Sequence, residues 1–195
     1  MIVPNGYTIK AKFSLRGNRL LVLQIIGLLL TGLLFMAFTK MTASIHSDFD
    51  LMQFIRKFDS PSMLTILGMG LLFFVYMHAF VHEKTHQLCY RIFGNKANLH
   101  MDFFTPNVTL SIGDVCSRNK AIIVALSPLV VLEIIGLVVW PFITGGFLLL
   151  IILFLSANVG LATGDLAQSV WLRKYPKNHY FGFDGRDSVI WGPQR

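Results

Sequence analysis

The chain has 195 residues, of which 54% are hydrophobic and 14% charged, and 17 Lys and Arg stand against 10 Asp and Glu. Disorder is excluded because disordered chains are polar and poor in aromatics, whereas 17 residues here are Phe, and two cysteines exclude a disulfide-held secreted module. What remains is an integral membrane protein of one domain. Its net charge of +7 is more typical of basic cytoplasmic loops than of nucleic-acid binding.

Four apolar segments are long enough to cross a bilayer, which needs about 20 residues in helix. The first follows a basic leader at residues 1–19, and its apolar run is too long for a signal peptide, so we expect it to stay uncleaved. The third is ended by Pro141. We predict an all-α membrane protein with transmembrane helices at about residues 20–38, 63–86, 121–140 and 146–172.

Lys and Arg are distributed unevenly around these spans. Fourteen lie in the leader, between spans two and three, and in the C-terminal tail, whereas three lie between spans one and two. The positive-inside rule therefore predicts a multi-pass protein of the cell membrane with both termini in the cytoplasm.

The cytoplasmic stretch between spans two and three has a pattern typical of strands. Apolar and polar residues alternate on both sides of Thr105-Pro106-Asn107, which are residues that favour turns. The pattern predicts a small β-hairpin near residues 98–113.

Span two ends in His82-Glu83-Lys84-Thr85-His86, which has the pattern H-E-x-x-H. Residues four apart lie on one helix face, so the two imidazoles can bind one zinc ion. Glu83 is rotated away from that face by one residue, which suits a general base acting on water rather than a ligand. Composition alone predicts about 0.002 chance matches per chain, so the motif indicates zinc chemistry.

A catalytic zinc usually has three protein ligands, so a third ligand must be found. His78 and Cys89 lie on the same helix, but about one turn of 5.4 Å beyond the pair at either end, which is too far for a ligand. We expect His78 to lie around the site or to contact substrate, and Cys89 to be a packing residue.

Depth in the membrane favours Asp165 as the third ligand. Asp165 and His82 each lie 19 residues from the outer end of their span, which places both about 28 Å below the outer boundary. Glu133 lies about 10 Å from that plane and is a poor ligand, although a role as buried partner, proton relay or substrate contact stays open. The alternatives to Asp165 are the cytoplasmic residues His100, Asp102 and Asp114.

Asn158 precedes Asp165 by seven residues and lies on the same helix face, two turns deeper in the membrane. Its amide could bind a substrate backbone or steady the site, and a plain interhelical hydrogen bond is an equally good interpretation. Gly160 and Gly164 flank this face, and small residues allow the close helix approach that a shared metal requires.

The chain resembles a bacterial membrane family of zincin peptidases, which is similar to the site-2-protease class of intramembrane zinc metalloproteases. The resemblance covers about residues 63–176 and rests on His82-Glu83-x-x-His86, Ser127-Pro128-Leu129, Asn158-x-Gly160-x-x-x-Gly164-Asp165 and Lys174-Tyr175-Pro176. It implies that His82, His86 and Asp165 bind Zn²⁺ and that Glu83 is the catalytic base. It also implies that the hairpin near residues 98–113 presents an extended substrate by strand addition.

The sequence as a whole predicts a membrane zinc metallopeptidase that cleaves a membrane-anchored or juxtamembrane polypeptide near the cytoplasmic face. Within a single domain at residues 1–195, the catalytic core would span 63–176 and a cytoplasmic tail 177–195. The alternative is a non-catalytic membrane protein that binds zinc or a partner and keeps the zincin-like fold. In both cases we expect contact with the lipid bilayer and none with nucleic acid.

Overall fold

The computed structural model describes residues 5–46, 49–56, 60–102, 107–112, 115–184 and 187–194. Its helices are α1 (Asn18–Ile45), α2 (Leu51–Ile55), α3 (Pro61–Ile92), α4 (Arg118–Val139), α5 (Phe147–Leu161) and α6 (Thr163–Arg173). A 3-10 turn at Trp140–Phe142 follows α4. By length and composition, four stretches could cross a membrane: 18–45, 61–92, 118–142 and 147–173. The prediction of four long apolar helices is confirmed, and they fit a multi-pass membrane protein.

Helix α3 extends six residues beyond its predicted end at His86. It begins where the Ser60 side chain accepts a hydrogen bond from the backbone N–H of Met63, with Pro61 at the first helical position, and these are strong start signals. It ends at Ile92, before Gly94 with its φ of 80°. The H-E-x-x-H motif therefore lies inside a regular helix, which holds its two histidines one turn apart.

The fourth predicted span is two helices in the structure. α5 ends at Leu161 and α6 begins at Thr163, so the helix is interrupted at Ala162 although the apolar run continues. This interruption places Asp165 in the first turn of α6, where a carboxylate is stabilised by the N-terminal end of the helix dipole.

The prediction of an all-α fold is wrong in one respect, because the two ends of the chain form an antiparallel sheet. Its order is β1–β6–β5–β4, with β1 at Tyr7–Phe13, β4 at Cys116–Ser117, β5 at Tyr180–Asp184 and β6 at Asp187–Pro193. The stretches predicted as a basic leader and a cytoplasmic tail are thus paired strands, with Tyr7 opposite Pro193. Partners so distant in sequence leave no local signal of their pairing.

The sheet covers the ends of the helices that carry the H-E-x-x-H motif and Asp165. Phe181 and Ile190 of the sheet are fully buried in a core with Tyr90 of α3, Val124 of α4 and Leu172 of α6. Burying these side chains stabilises the fold by roughly 1.5–3 kcal/mol for each large apolar group. The sheet therefore holds three helix ends in one fixed arrangement.

The predicted β-hairpin is confirmed as a separate two-stranded sheet. β2 (Ala97–Asp102) pairs antiparallel with β3 (Asn107–Ile112). Nε2 of Gln87 and the guanidinium of Arg91 donate hydrogen bonds to the carbonyl of Ala97, which attaches the hairpin to α3.

Helix α1 packs closely on α5 through two glycines. A Cβ atom added to Gly27 would lie 2.6 Å from the carbonyl oxygen of Gly160, and one added to Gly160 would lie 2.8 Å from the carbonyl oxygen of Gly27. Such distances exclude a side chain at either position without a shift of the backbone. Farther along, Nε1 of Trp140 donates a hydrogen bond to Oγ1 of Thr42 at 3.1 Å.

Candidate metal centre

Three donor side chains from two helices converge on one point. His82 and His86 of α3 and Asp165 of α6 place their ligand atoms within 4.8 Å of one another. Oδ2 of Asp165 lies 3.0 Å from Nε2 of His82 and 3.3 Å from Nε2 of His86. The structure thus brings together the two histidines of the motif and the aspartate that the depth argument selected.

The regular geometry of α3 sets the relation between the two imidazoles. Their centroids are 5.0 Å apart and their planes are inclined by 82°, so the two rings are T-shaped rather than stacked, and each has its Nε2 near Asp165. Both histidines are buried, with 5% and 6% of their surface exposed, whereas the Asp165 side chain keeps 22% exposed. The cluster is therefore enclosed on the α3 side and reachable by solvent beside Asp165.

Helix α4 determines the tautomer of His86. Nδ1 of His86 lies 2.8 Å from the backbone carbonyl oxygen of Val124, and a carbonyl can only accept. Nδ1 therefore carries the proton, and in the neutral ring the lone pair on Nε2 faces Asp165. This is the usual arrangement of a metal-binding histidine, whose other nitrogen is held by an oxygen atom.

A buried amide performs the same task for His82. Oδ1 of Asn158 lies 3.4 Å from Nδ1 of His82, while Nδ2 of Asn158 donates to the carbonyl of Pro128 at 3.3 Å and to Oε1 of Glu133 at 3.1 Å. Two acceptors around Nδ2 fix the amide with its oxygen towards His82. Asn158 is fully buried, which favours a steadying role over contact with substrate.

The donor set fits zinc. With both Nδ1 atoms protonated and both rings neutral, two nitrogen lone pairs and a carboxylate oxygen point at one another, an arrangement that a bound cation stabilises. Zinc binds histidine nitrogen and carboxylate oxygen at about 2.0–2.2 Å, so neighbouring ligands of a tetrahedral site lie about 3.4 Å apart. The separations of 3.0 and 3.3 Å are close to that value.

Glu83 lies beside the donor cluster without belonging to it. Among the described residues the cluster consists of the two histidines and Asp165. The carboxylate of Glu83 is half-buried and lies within electrostatic range of all three. A carboxylate next to a metal site, but outside its ligand set, is suited to proton transfer.

The other predicted candidates lie outside the cluster. His78 is 3% exposed and stacks on Phe154 with ring centroids 4.5 Å apart, and neither of its ring nitrogens has a hydrogen-bond partner among the described residues. Cys89 packs against the apolar core, in agreement with its expected packing role. The side chains of the alternatives His100, Asp102 and Asp114 lie outside the described part of the chain.

Two further residues matter for assessing the site. Glu133, for which three roles were open, is a hydrogen-bond partner of Asn158. Burial raises the pKa of the Cys116 thiol to about 12, so this cysteine is protonated at neutral pH and unsuited to ligation. Sequence reasoning missed the carbonyl of Val124, although Pro128 was a signal, because a proline inside a helix leaves the carbonyl four residues earlier without its backbone donor.

Comparison with known families agrees with this geometry. The family described as "Putative zincin peptidase" matches residues 72–180, which is more than half of the chain. The chain belongs to this family. The matched range of the zincin peptidase family contains the H-E-x-x-H motif, Asp165, and the residues that hold the histidines. Membership implies zinc and indicates a metallopeptidase. No curated protein and no solved structure matches the chain.

Proposed function

We propose that the protein is a membrane-embedded zinc metallopeptidase that hydrolyses a peptide bond of a membrane-anchored or juxtamembrane polypeptide near the cytoplasmic face. One observation carries the proposal: His82, His86 and Asp165 converge with their lone pairs on one point, and Glu83 lies next to them. Family membership supports the peptidase chemistry.

In the proposed mechanism His82, His86 and Asp165 hold the zinc ion. When bound, zinc would polarise the scissile carbonyl and make water a better nucleophile at neutral pH. The carboxylate of Glu83 accepts a proton from the attacking water and returns it to the leaving amine. Val124 and Asn158 keep the Nδ1 protons of the two histidines in place, so both Nε2 atoms stay available.

The four long apolar helices support a membrane location. The distribution of basic residues supports cytoplasmic termini, and the sheet that joins the two ends of the chain would then lie on the cytoplasmic side. Since this sheet packs on the helix ends near the cluster, the site would lie close to the cytoplasmic surface. Water would enter there, beside the partly exposed Asp165.

The hairpin β2–β3 supports a polypeptide substrate. Within the described residues it is a two-stranded sheet, so each strand keeps an edge without a neighbouring strand. It is attached to α3, the helix that carries the H-E-x-x-H motif. An extended segment of substrate could add to this sheet as a third strand, which is a common mode of peptide recognition.

The test compares zinc content and hydrolysis in the wild type, Glu83→Gln and the distant control Asp50→Asn. The two variants make the same carboxylate-to-amide change. We expect about one zinc per chain in all three. Cleavage of a membrane-anchored peptide library should fall about 10²–10⁴-fold in Glu83→Gln alone, as expected for the loss of a general base.

Two results would contradict the proposal. Hydrolysis at the wild-type rate by zinc-loaded Glu83→Gln would show that Glu83 is not the general base. Zinc binding by a wild type that cleaves nothing in the library would favour the alternative of a non-catalytic zinc-binding membrane protein.

A further inference from the structure

A proline lies in the middle of the apolar helix α4. Pro128 has no amide hydrogen, so the helix lacks the bond that residue 128 would donate to the carbonyl four residues earlier. That carbonyl belongs to Val124, and its oxygen is the atom that accepts the hydrogen bond from Nδ1 of His86. The missing backbone bond thus leaves an acceptor available to a residue of the metal centre.

The Val124 oxygen already accepts two hydrogen bonds from side chains. A carbonyl has two lone pairs, and here Oγ of Ser127 donates to it at 2.7 Å and Nδ1 of His86 at 2.8 Å. An amide hydrogen at position 128 would be a third donor, held in place by the helix itself. His86 comes from another helix and would be the donor most readily displaced.

The same turn of α4 also reaches the second histidine. The carbonyl of Pro128 accepts a hydrogen bond from Nδ2 of Asn158, whose Oδ1 faces Nδ1 of His82. Backbone oxygens within one turn of a single proline therefore contact His86 directly and reach His82 through the amide of Asn158.

We propose that Pro128 is a positioning residue of the metal centre: by withholding a backbone N–H, it reserves the Val124 carbonyl for Nδ1 of His86 and directs Nε2 towards Asp165. This inference rests on the proposed zinc function. If Pro128 served helix packing alone, its replacement would leave the tautomer of His86 unchanged. The proposed role predicts instead that the tautomer of His86 changes.

The test is Pro128→Ala with Leu132→Ala as its control. Each variant truncates a buried side chain of α4 to alanine, but only Pro128→Ala adds an amide hydrogen that competes for the Val124 oxygen. We expect zinc to bind about 10–100-fold more weakly to Pro128→Ala, the usual loss when a group that orients a metal ligand is changed, and to bind Leu132→Ala within about threefold of its affinity for the wild type.

A second readout needs no metal. In ¹⁵N-labelled, zinc-free protein, long-range ¹H–¹⁵N spectra distinguish a histidine protonated at Nδ1 from one protonated at Nε2. His86 should be protonated at Nδ1 in the wild type and in Leu132→Ala, and should move towards the Nε2-protonated form in Pro128→Ala.

The double variant Ser127→Ala/Pro128→Ala supplies a rescue. Removing the Ser127 hydroxyl returns one lone pair of the Val124 oxygen, so His86 can compete again. We expect zinc to bind about tenfold more tightly to the double variant than to Pro128→Ala. A general packing defect at position 128 would not be repaired by a second truncation.

The results separate this inference from the function it rests on. Equal zinc affinities and equal His86 tautomers in Pro128→Ala and Leu132→Ala would overturn the role of Pro128 while leaving the zinc site intact. Failure of the wild type to bind zinc would overturn the proposed function, and the His86 tautomer would still decide the role of Pro128. If Pro128→Ala does not fold, the double variant is compared with Leu132→Ala, and loss of both the Nδ1-protonated tautomer and the zinc affinity in the double variant would overturn the role.

Discussion

Three histidines lie on one face of α3 at spacings of four residues, yet they have two different environments. His82 and His86 each present Nδ1 to an oxygen atom, supplied by Asn158 of α5 and Val124 of α4. His78, one turn earlier, stacks on Phe154 of α5 and has no hydrogen-bond partner among the described residues. The facing helices thus hold one ring nitrogen of His82 and one of His86, whereas His78 has no such partner in the part of the chain that the structure describes and also lies a helix turn away from the cluster.

Removing the Asp165 carboxylate should weaken zinc binding more than a change at Asn158 or His78 does. Asp165→Ala leaves two histidine nitrogens and no carboxylate, so we expect zinc to bind at least about 100-fold more weakly, measured by competition with a chromophoric chelator. Asp50→Asn, far from the cluster in sequence, should bind zinc as the wild type does. Unchanged zinc affinity in Asp165→Ala would contradict Asp165 as the third ligand and favour His100, Asp102 or Asp114 instead.

The close contact of α1 with α5 at Gly27 and Gly160 should matter more for the stability of the fold than for zinc binding. Gly27→Ala adds a Cβ within 2.6 Å of the Gly160 carbonyl, so we expect a loss of about 1–3 kcal/mol in unfolding free energy in detergent. Gly32→Ala, on the same helix and with no atom within 4 Å, should be neutral or slightly stabilising. Weaker zinc binding by folded Gly27→Ala would show that the two regions are coupled.

The Asn158 amide should contribute less to zinc affinity than each of the proposed zinc ligands does. Asn158→Leu removes the oxygen that faces His82, and we expect zinc to bind about tenfold more weakly. Glu133→Gln keeps an acceptor for Nδ2 of Asn158 and should bind zinc almost as the wild type does, whereas Glu133→Leu should resemble Asn158→Leu. Equal zinc affinities in Asn158→Leu and the wild type would show that the hydrogen bonds of Asn158 serve helix packing alone.

The smallest effect is expected at His78. His78→Phe replaces two buried ring nitrogens that lack partners with carbon, so unfolding free energy should rise by up to about 1 kcal/mol, and zinc affinity should stay within about twofold. Both are measurable by denaturant titration and by chelator competition. A loss of hydrolysis with zinc still bound would instead give His78 the substrate contact that the sequence left open.

Local patterns predicted the helices and the hairpin well. Long apolar runs are recognisable because a bilayer requires about 20 residues per span, and the alternation near residues 98–113 predicted β2 and β3. The break at Ala162 and the six further residues of α3 were not predicted. Ala162 is itself apolar, so the break leaves no gap in the apolar run, and the six further residues of α3 lie beyond the end of such a run.

The terminal sheet shows the limit of such patterns. The stretch Tyr7–Phe13 alternates as a strand does, but its partner β6 lies at Asp187–Pro193, at the other end of the chain. A strand signal does not name its partner, and nothing local distinguishes this segment from a basic interfacial leader. In the folded chain Ala11 of β1 lies opposite Ile190 of β6, and both pack against the buried core at the helix ends.

The sequence alone predicted the kinds of donor available and their positions along the apolar spans, because helix rise and residue type suffice to place His82, His86 and Asp165 near one plane. The tertiary structure decided which nitrogen of each histidine faces that plane. This orientation depends on the carbonyl of Val124 and the amide of Asn158, which other helices bring into contact with the two rings. Such acceptors are set by helix packing, and packing is a property of the folded chain rather than of any segment of it.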